Sequence, residues 1–277
     1  MTEAMTEAMI TPAAADDLLL REDAGGIATL TLNAPKSINA LSEAMLDALI
    51  ATLDDISADR SVKAVILRTG GKHFCAGHNL KEMSQRRQDA DGGFQYFQDL
   101  FATCSSMMLR VVRLPQPVIA EVRGIATAAG CQLVASCDLA VAAEEASFAT
   151  PGVHIGLFCS TPMVALSRKV AAKHAMEMLL TGDPCPAARA ADIGLVNYCV
   201  LADQLTDKVM EMARKIASKS TATVGFGKPA FYRQLERPLV EAYEFAAEVM
   251  VTNMLARDAE EGIAAFIEKR HPNWTDS

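Results

Sequence analysis

Two short segments place glycine and small side chains where a strand should pass into a helix. They are His73-Phe74-Cys75-Ala76-Gly77-His78-Asn79-Leu80 and Gly124-Ile125-Ala126-Thr127-Ala128-Ala129-Gly130-Cys131-Gln132-Leu133. The first N–H groups of a helix have no acceptor inside it, and small side chains let a bound group come close to the main chain. Two such amides converging on one carbonyl oxygen form an oxyanion hole, each donor contributing about 2.7–4 kcal/mol once negative charge develops there. A small-residue turn that only packs a helix tightly carries the same pattern, so spacing alone leaves both readings open.

Few side chains near these segments titrate near neutral pH. His78 stands beside the proposed oxygen site, and His154 lies two residues after Gly152, so on an extended strand both 152 and 154 face one way. Asn79, Ser160 and Thr161 are suited to hydrogen-bond a substrate, or to cap and pack loops. Cys131 and Cys159 read as small buried filler, and Asp138 as a brace at a strand start.

The elements that must hold these residues follow from periodicity. Leu18–Leu20 and Ile27–Leu32 flank Asp23-Ala24-Gly25-Gly26, a hairpin pattern. Ser42 caps a helix with an apolar stripe at Met45, Leu46, Leu49, Ile50, Leu53 and Ile56. A strand over Val62–Thr69, a helix over Phe94–Val112, a strand over Val118–Val122, a helix seeded near Ala129 and a strand over Leu139–Ala143 make 60–145 a β-α-β-α-β run with parallel strands. Beyond Pro162 the sequence reads as helical, with Gly182 and Gly194 as C-caps, a strand over Val196–Val200, and long helices at Gln204–Ser218, Pro238–Met254 and Asp258–Lys269. Met250, Val251, Met254 and Leu255 form an apolar stripe that either packs in the core or covers a neighbouring subunit.

Composition bounds the function. The 277 residues are 51% hydrophobic and 22% charged, which excludes a disordered chain or a coiled coil. A net charge of −8, from 26 Lys+Arg against 34 Asp+Glu, argues against nucleic acid or an anionic membrane as partner. The apolar stretch from Gly124 to Ala143 is interrupted by Gln132, Asp138 and two glycines and reads as core. Seven cysteines with no C-x-x-C pair suggest neither a disulfide framework nor a thiolate metal site, and imply a reducing compartment. The N-terminus is acidic, lacks arginine and an apolar signal core, and repeats Met-Thr-Glu-Ala. The expectation is a disordered tail over 1–16, an α/β core over 17–200, a helical region over 201–277 and a cytoplasmic location.

Taken in order, the motifs resemble the crotonase (enoyl-CoA hydratase/isomerase) superfamily. The resemblance runs from about Leu18 to Trp274 and rests on Asn33-Ala34-Pro35 with Asn39-Ala40-Leu41, the Phe74–Met83 segment, the 124–133 segment, Cys137 to Ala142, and Phe148 to Gly156. It implies a crotonase-like ββα spiral with two stacked sheets and a helical C-terminal region that trimerises, or builds a hexamer from two trimers. It implies oxyanion donors at the amides of His78 and Ala129, and an acyl-CoA as ligand, with no cofactor beyond the coenzyme A thioester. Coenzyme A would be held by the Asn39-Ala40-Leu41 turn, by Ala76, and by Lys36, Lys72 and Lys228, the last from another subunit. Hydratases of this family use two glutamates; the matching positions here are Gln132 and Gly152, neither of which exchanges a proton near neutral pH. A positioned acid or base contributes roughly 10²–10⁴ in rate, so hydratase activity is expected to be weak, whatever the role in fatty acid metabolism. The alternatives are a catalytically silent acyl-CoA binder, or a decarboxylase, isomerase or thioesterase helped by His78 or His154.

Overall fold

The computed structural model describes residues 18–277; the expected tail over 1–16 lies outside the described residues. Gly25 and Gly26, at φ 59° and 78°, close the hairpin between β1 (Leu19–Ala24) and β2 (Ile27–Leu32). Positive φ at both turn positions matches the twist of the flanking strands. The Ser42 hydroxyl accepts from the Met45 amide at 3.2 Å and starts α1 (Glu43–Ala58), whose buried face carries the expected stripe, with Ile50 half-buried. β3 (Ala64–Thr69) then lies parallel to β2.

After α2 (Leu80–Arg86) and α3 (Phe94–Arg113), β4 (Val118–Val122) adds parallel to β3. The 60–145 run differs from expectation in one respect. At Gly124, φ 56°, the chain leaves this sheet, and β5 (Ile125–Thr127) joins a second one before α4 (Ala129–Ser136) and β6 (Leu139–Ala143) return. Three residues are too few for a periodicity to show. β5 pairs parallel with β7 (Ser147–Ala149), which pairs antiparallel with β8 (Cys185–Pro186). With β9 (Tyr198–Val200), the larger sheet has the order β1-β2-β3-β4-β6-β9 and the smaller one β5-β7-β8, the mixed α/β architecture with two sheets that was expected.

Four more helices follow β7: α5 (Ser160–Leu166), α6 (Ala172–Thr181), α7 (Ala187–Asp192) and α8 (Leu205–Ala217). Gly182 caps α6 at φ 68°, and Gly194 follows α7 at φ 83°. Leu205, Val209 and Ala213 of α8 bury Ile27, Ile66, Ile119 and Val141 on one face of the larger sheet. That sheet is therefore covered on both faces, which explains strands apolar at consecutive positions.

The C-terminal part continues with α9 (Thr221–Gln234), α10 (Leu239–Met254) and α11 (Arg257–Glu268). α9 was not anticipated as a helix of its own because Gly225, Gly227 and Pro229 depress its propensity; the Ser220 hydroxyl nevertheless caps it, accepting from the Thr223 amide. Met250, Val251, Met254 and Leu255 are exposed rather than packed in the core, together with Val240, Tyr243 and Phe266. Among the described residues no helix is long and apolar enough to cross a membrane.

Candidate functional site

The 73–80 segment is clamped from both sides. Toward β5, the Phe74 and Cys75 amides donate to the Ile125 carbonyl and the Thr127 amide donates to the Cys75 carbonyl at 2.9 Å. Toward the 34–41 turn, the Ala76 amide donates to Ile38 and the Leu41 amide to the Gly77 carbonyl at 2.7 Å. Asn39 holds the arrangement together. Fully buried and at φ 49°, its side chain accepts from the Ala34 amide and donates to Thr69 Oγ1, the His73 carbonyl and the Phe74 carbonyl. All its polar capacity is thus internal: Asn39 shapes the turn, while Ala40 and Leu41 are buried behind it.

Glycine makes the two candidate amides neighbours. At Gly77, φ +88°, a Cβ would stand 3.0 Å from the Thr127 carbonyl oxygen and 3.1 Å from the Ala129 amide nitrogen. At Gly130 it would fall on the Cys75 carbonyl, so α4 starts against the 73–80 segment only because that position has no side chain. Ala128, ahead of α4, sits at φ 50° and ψ −119°, a conformation costing about 1–3 kcal/mol for a residue with a Cβ. The His78 and Ala129 amides donate to no acceptor among the described residues. Two adjacent unpaired donors can hold one oxygen and take up negative charge on it.

The His78 ring meets Phe101 edge-on, centroids 5.6 Å apart, and neither of its buried nitrogens has a partner in full hydrogen-bond geometry. Burial holds the imidazole below its ordinary value of 6.5, against the opposing pull of the Leu41 main chain, so the ring is neutral at pH 7. Gln132, one turn beyond Ala129, is 5% exposed, and its Oε1 is buried without a partner. It lines a cleft of about 1340 Å³ between α3, α4, α5 and α9, the feature that sequence reasoning missed. The available signal was four basic residues of an acidic chain, Arg113 and Arg233 within helices and Arg168 and Lys169 in the turn after α5.

Other expected site residues are placed differently. Gly152 lies on a 3-10 turn (Pro151–Ile155), where successive residues rotate by about 120°, so residue 154 does not share its direction. His154 is exposed, with its ring against Gly182 at the end of α6, which turns it from Gly152. A Cβ at Gly152 would stand 2.5 Å from the Leu157 carbonyl oxygen and 2.9 Å from Cys159 Sγ. Burial pushes the Cys131 thiol up to about 12 and raises Cys159, in line with filler. Lys228 is not available to a ligand: its ammonium, 6% exposed, pairs with Asp138 at 2.7 Å and donates to the Val111 and Gln116 carbonyls. Asp138 also accepts from the Val118 amide and Tyr232 hydroxyl, the expected brace. Lys36 and Lys72 remain exposed on adjoining turns, where Pro35 packs on Gly71.

The chain belongs to the enoyl-CoA hydratase/isomerase family, whose match covers residues 22–277, and the two-sheet architecture is the crotonase fold. Among particular relatives, it is 46% identical to "Enoyl-CoA hydratase domain-containing protein 3, mitochondrial" of Rattus norvegicus, over 90% of this chain and 82% of the relative. The Homo sapiens protein of that name is also 46% identical, and its crystal structure superposes with a TM-score of 0.86 over 93% of this chain and all of that one. A crystal structure of enoyl-CoA hydratase from Mycobacterium smegmatis is 52% identical, with a TM-score of 0.88, over 93% of this chain and 98% of that one. The expected cytoplasmic location is overturned: the domain-containing protein 3 relatives from rat, human, frog, mouse and zebrafish are all named mitochondrial. Scattered reduced cysteines did not discriminate between compartments.

Proposed function

We propose that the chain binds an acyl-CoA thioester with its carbonyl oxygen between the His78 and Ala129 amides and stabilises the enolate formed there. The observation that carries this reading is the contact at Gly77, which brings the Ala129 amide against the segment that supplies the His78 amide, with both donors unpaired. Lys36 and Lys72 are the proposed phosphate contacts, beside the 34–41 turn and Ala76; Lys228 is left out because Asp138 holds it. Coenzyme A enters as part of the substrate, and no separate cofactor is assigned.

With Gln132 and Gly152 in place of two carboxylates, hydration of an ordinary enoyl-CoA is expected to be slow, on the order of 10⁴-fold below that of an enzyme with both. The His78 ring favours chemistry that needs at most one proton-carrying side chain. In isomerisation the α-C–H bond breaks, the proton passes to the neutral imidazole, the electron pair moves onto the thioester oxygen, and the imidazolium so formed returns the proton to the γ-carbon as the double bond shifts; in decarboxylation, loss of CO₂ leaves the C–C electron pair as an enolate with no base needed, and a proton from water quenches it. The exposed apolar faces of α10 and α11 support assembly through the C-terminal helices, as a homotrimer or a pair of trimers; light scattering that finds a stable monomer at micromolar concentration overturns the assembly.

The test is α-proton exchange of a saturated acyl-CoA in D₂O, followed by mass spectrometry, beside product analysis on a thioester panel. Exchange that is lost in His78→Ala supports the reading. Tight thioester binding with neither exchange nor product identifies a silent binder.

A further inference from the structure

The cleft beyond Gln132 is amphipathic in a particular sense. Its walls are apolar, from Met108, Leu109 and Val112 on α3, Ala135 on α4, Val164 on α5 and Phe231 on α9. Its charged lining is four cations, Arg113, Arg168, Lys169 and Arg233, against the single carboxylate of Glu236. In a chain of net charge −8 this is a local reversal of sign. The cations are only weakly engaged. Arg113 has no ion pair among the described residues, and Arg168 meets Glu236 at 3.8 Å with both side chains mostly exposed. Lys169 donates to the Tyr232 hydroxyl at 3.2 Å and lies over the ring of that residue, 5.2 Å from its centroid, and Arg233 stacks on the Phe245 ring.

Gln132 connects this cleft to the thioester site. Gln132 is 95% buried by its 5% exposure, lines this cleft, and leaves Oε1 without a partner. It lies one turn beyond Ala129 in α4, so the cleft it lines begins beside the proposed thioester site. The cleft contains no residue of the 34–41 turn or the 72–80 segment. Its cations therefore stand apart from Lys36 and Lys72, and the anion they suit is not the nucleotide end of coenzyme A.

We infer that the acyl group taken by this site ends in a carboxylate, so that an apolar chain runs from the thioester past Gln132 and its terminal anion meets Arg113, Arg168 and Lys169. The inference rests on the thioester reading above. An apolar wall with a cationic end selects such a chain over a plain fatty acyl group because the neutral chain leaves the cations without a counter-charge, and over a free dicarboxylate because the latter lacks the thioester.

Three pairs of saturated thioesters, butyryl and succinyl, hexanoyl and adipoyl, octanoyl and suberoyl, differ only in a methyl or carboxylate terminus. Calorimetric titration of the full chain with each pair, beside coenzyme A alone, is expected to show the carboxylated member at least 10-fold tighter at one length. Arg113→Gln with Arg168→Gln should abolish that preference and leave coenzyme A binding unchanged, and raising NaCl on the unaltered protein should shrink it. Equal affinity within every pair overturns the inference and leaves the thioester reading standing. Failure of every thioester to bind overturns both. A change of oligomeric mass in the arginine variants, with no loss of preference, shows that a second copy of the chain fills the cleft, and likewise overturns it.

Discussion

A side chain at Gly77 would stand 2.9 Å from the Cβ of Ala128. The two bends that carry the candidate amides are thus fitted to each other at the level of one methyl group. Gly77 adopts φ +88° and Ala128 φ 50°, so both turns hold left-handed backbone where the donors emerge, and each limits what the other can become.

Gly77→Ala is expected to destabilise by about 1–3 kcal/mol, through its positive φ and through crowding at Ala128. Ala128→Gly removes the crowded methyl and relieves its own strained φ, so the double variant should recover part of the loss. Urea denaturation of all four proteins measures the coupling. Strict additivity would show that the contact carries no energy.

Restoring the two family carboxylates should have unequal effects. Gln132→Glu replaces one side chain with another of nearly the same shape and is expected to raise crotonyl-CoA hydration by roughly 10–10²-fold, short of the full contribution of a matched acid–base pair. Gly152→Glu must displace the Leu157 carbonyl and Cys159, and is expected to lower the melting temperature. If Gln132→Glu with Gly152→Glu is well folded yet hydrates crotonyl-CoA no faster than the parent, the missing carboxylates do not explain slow hydration.

Lys228→Met strands the Asp138 carboxylate and should cost about 3–5 kcal/mol of stability, with Asp138→Asn added to it returning part of the loss. Burial lowers the Lys228 pKa while Asp138 opposes that, the balance expected of a structural pair. Coenzyme A titration of the folded variant should match the parent. A large fall in affinity without a fall in stability would return Lys228 to the ligand.

Acid should release the C-terminal segment. Hydrogen bonds from Arg270 and the Asn273 amide hold the Glu261 carboxyl at about 2, below its ordinary 4.5. A depressed folded pKa means that the contribution is complete above 4.5 and is lost as pH falls toward 2. Trp274, the one tryptophan, bonds the Ser218 carbonyl within that segment. Its emission should shift to the red through this window, and Glu261→Gln should bring the shift to neutral pH. An emission unchanged down to pH 2 would exclude the linkage.

Legibility in the sequence followed the range of the interactions. The Gly25-Gly26 hairpin, the α1 stripe and the strands of the larger sheet are set by neighbours in the chain and could be read directly. β5 was hidden because its identity comes from pairing with β7, and α9 because Gly225, Gly227 and Pro229 mask a helix that Ser220 starts. At the site, the two glycine-bearing bends were legible as bends. Lys228 read as a phosphate ligand because no local pattern announces that Asp138, ninety positions earlier by number, receives it. The spacing of His154 from Gly152 misleads because residues two apart face one way on a strand but not on the tight turn that the backbone forms here.

Asn39 makes one object out of the turn bearing Lys36, the end of β3 and the segment leading to His78. A ligand that reaches from those lysines to the unpaired amides is therefore measured by a ruler of fixed length: whichever end docks first, the other is already located, and molecules of the wrong span gain from one end only.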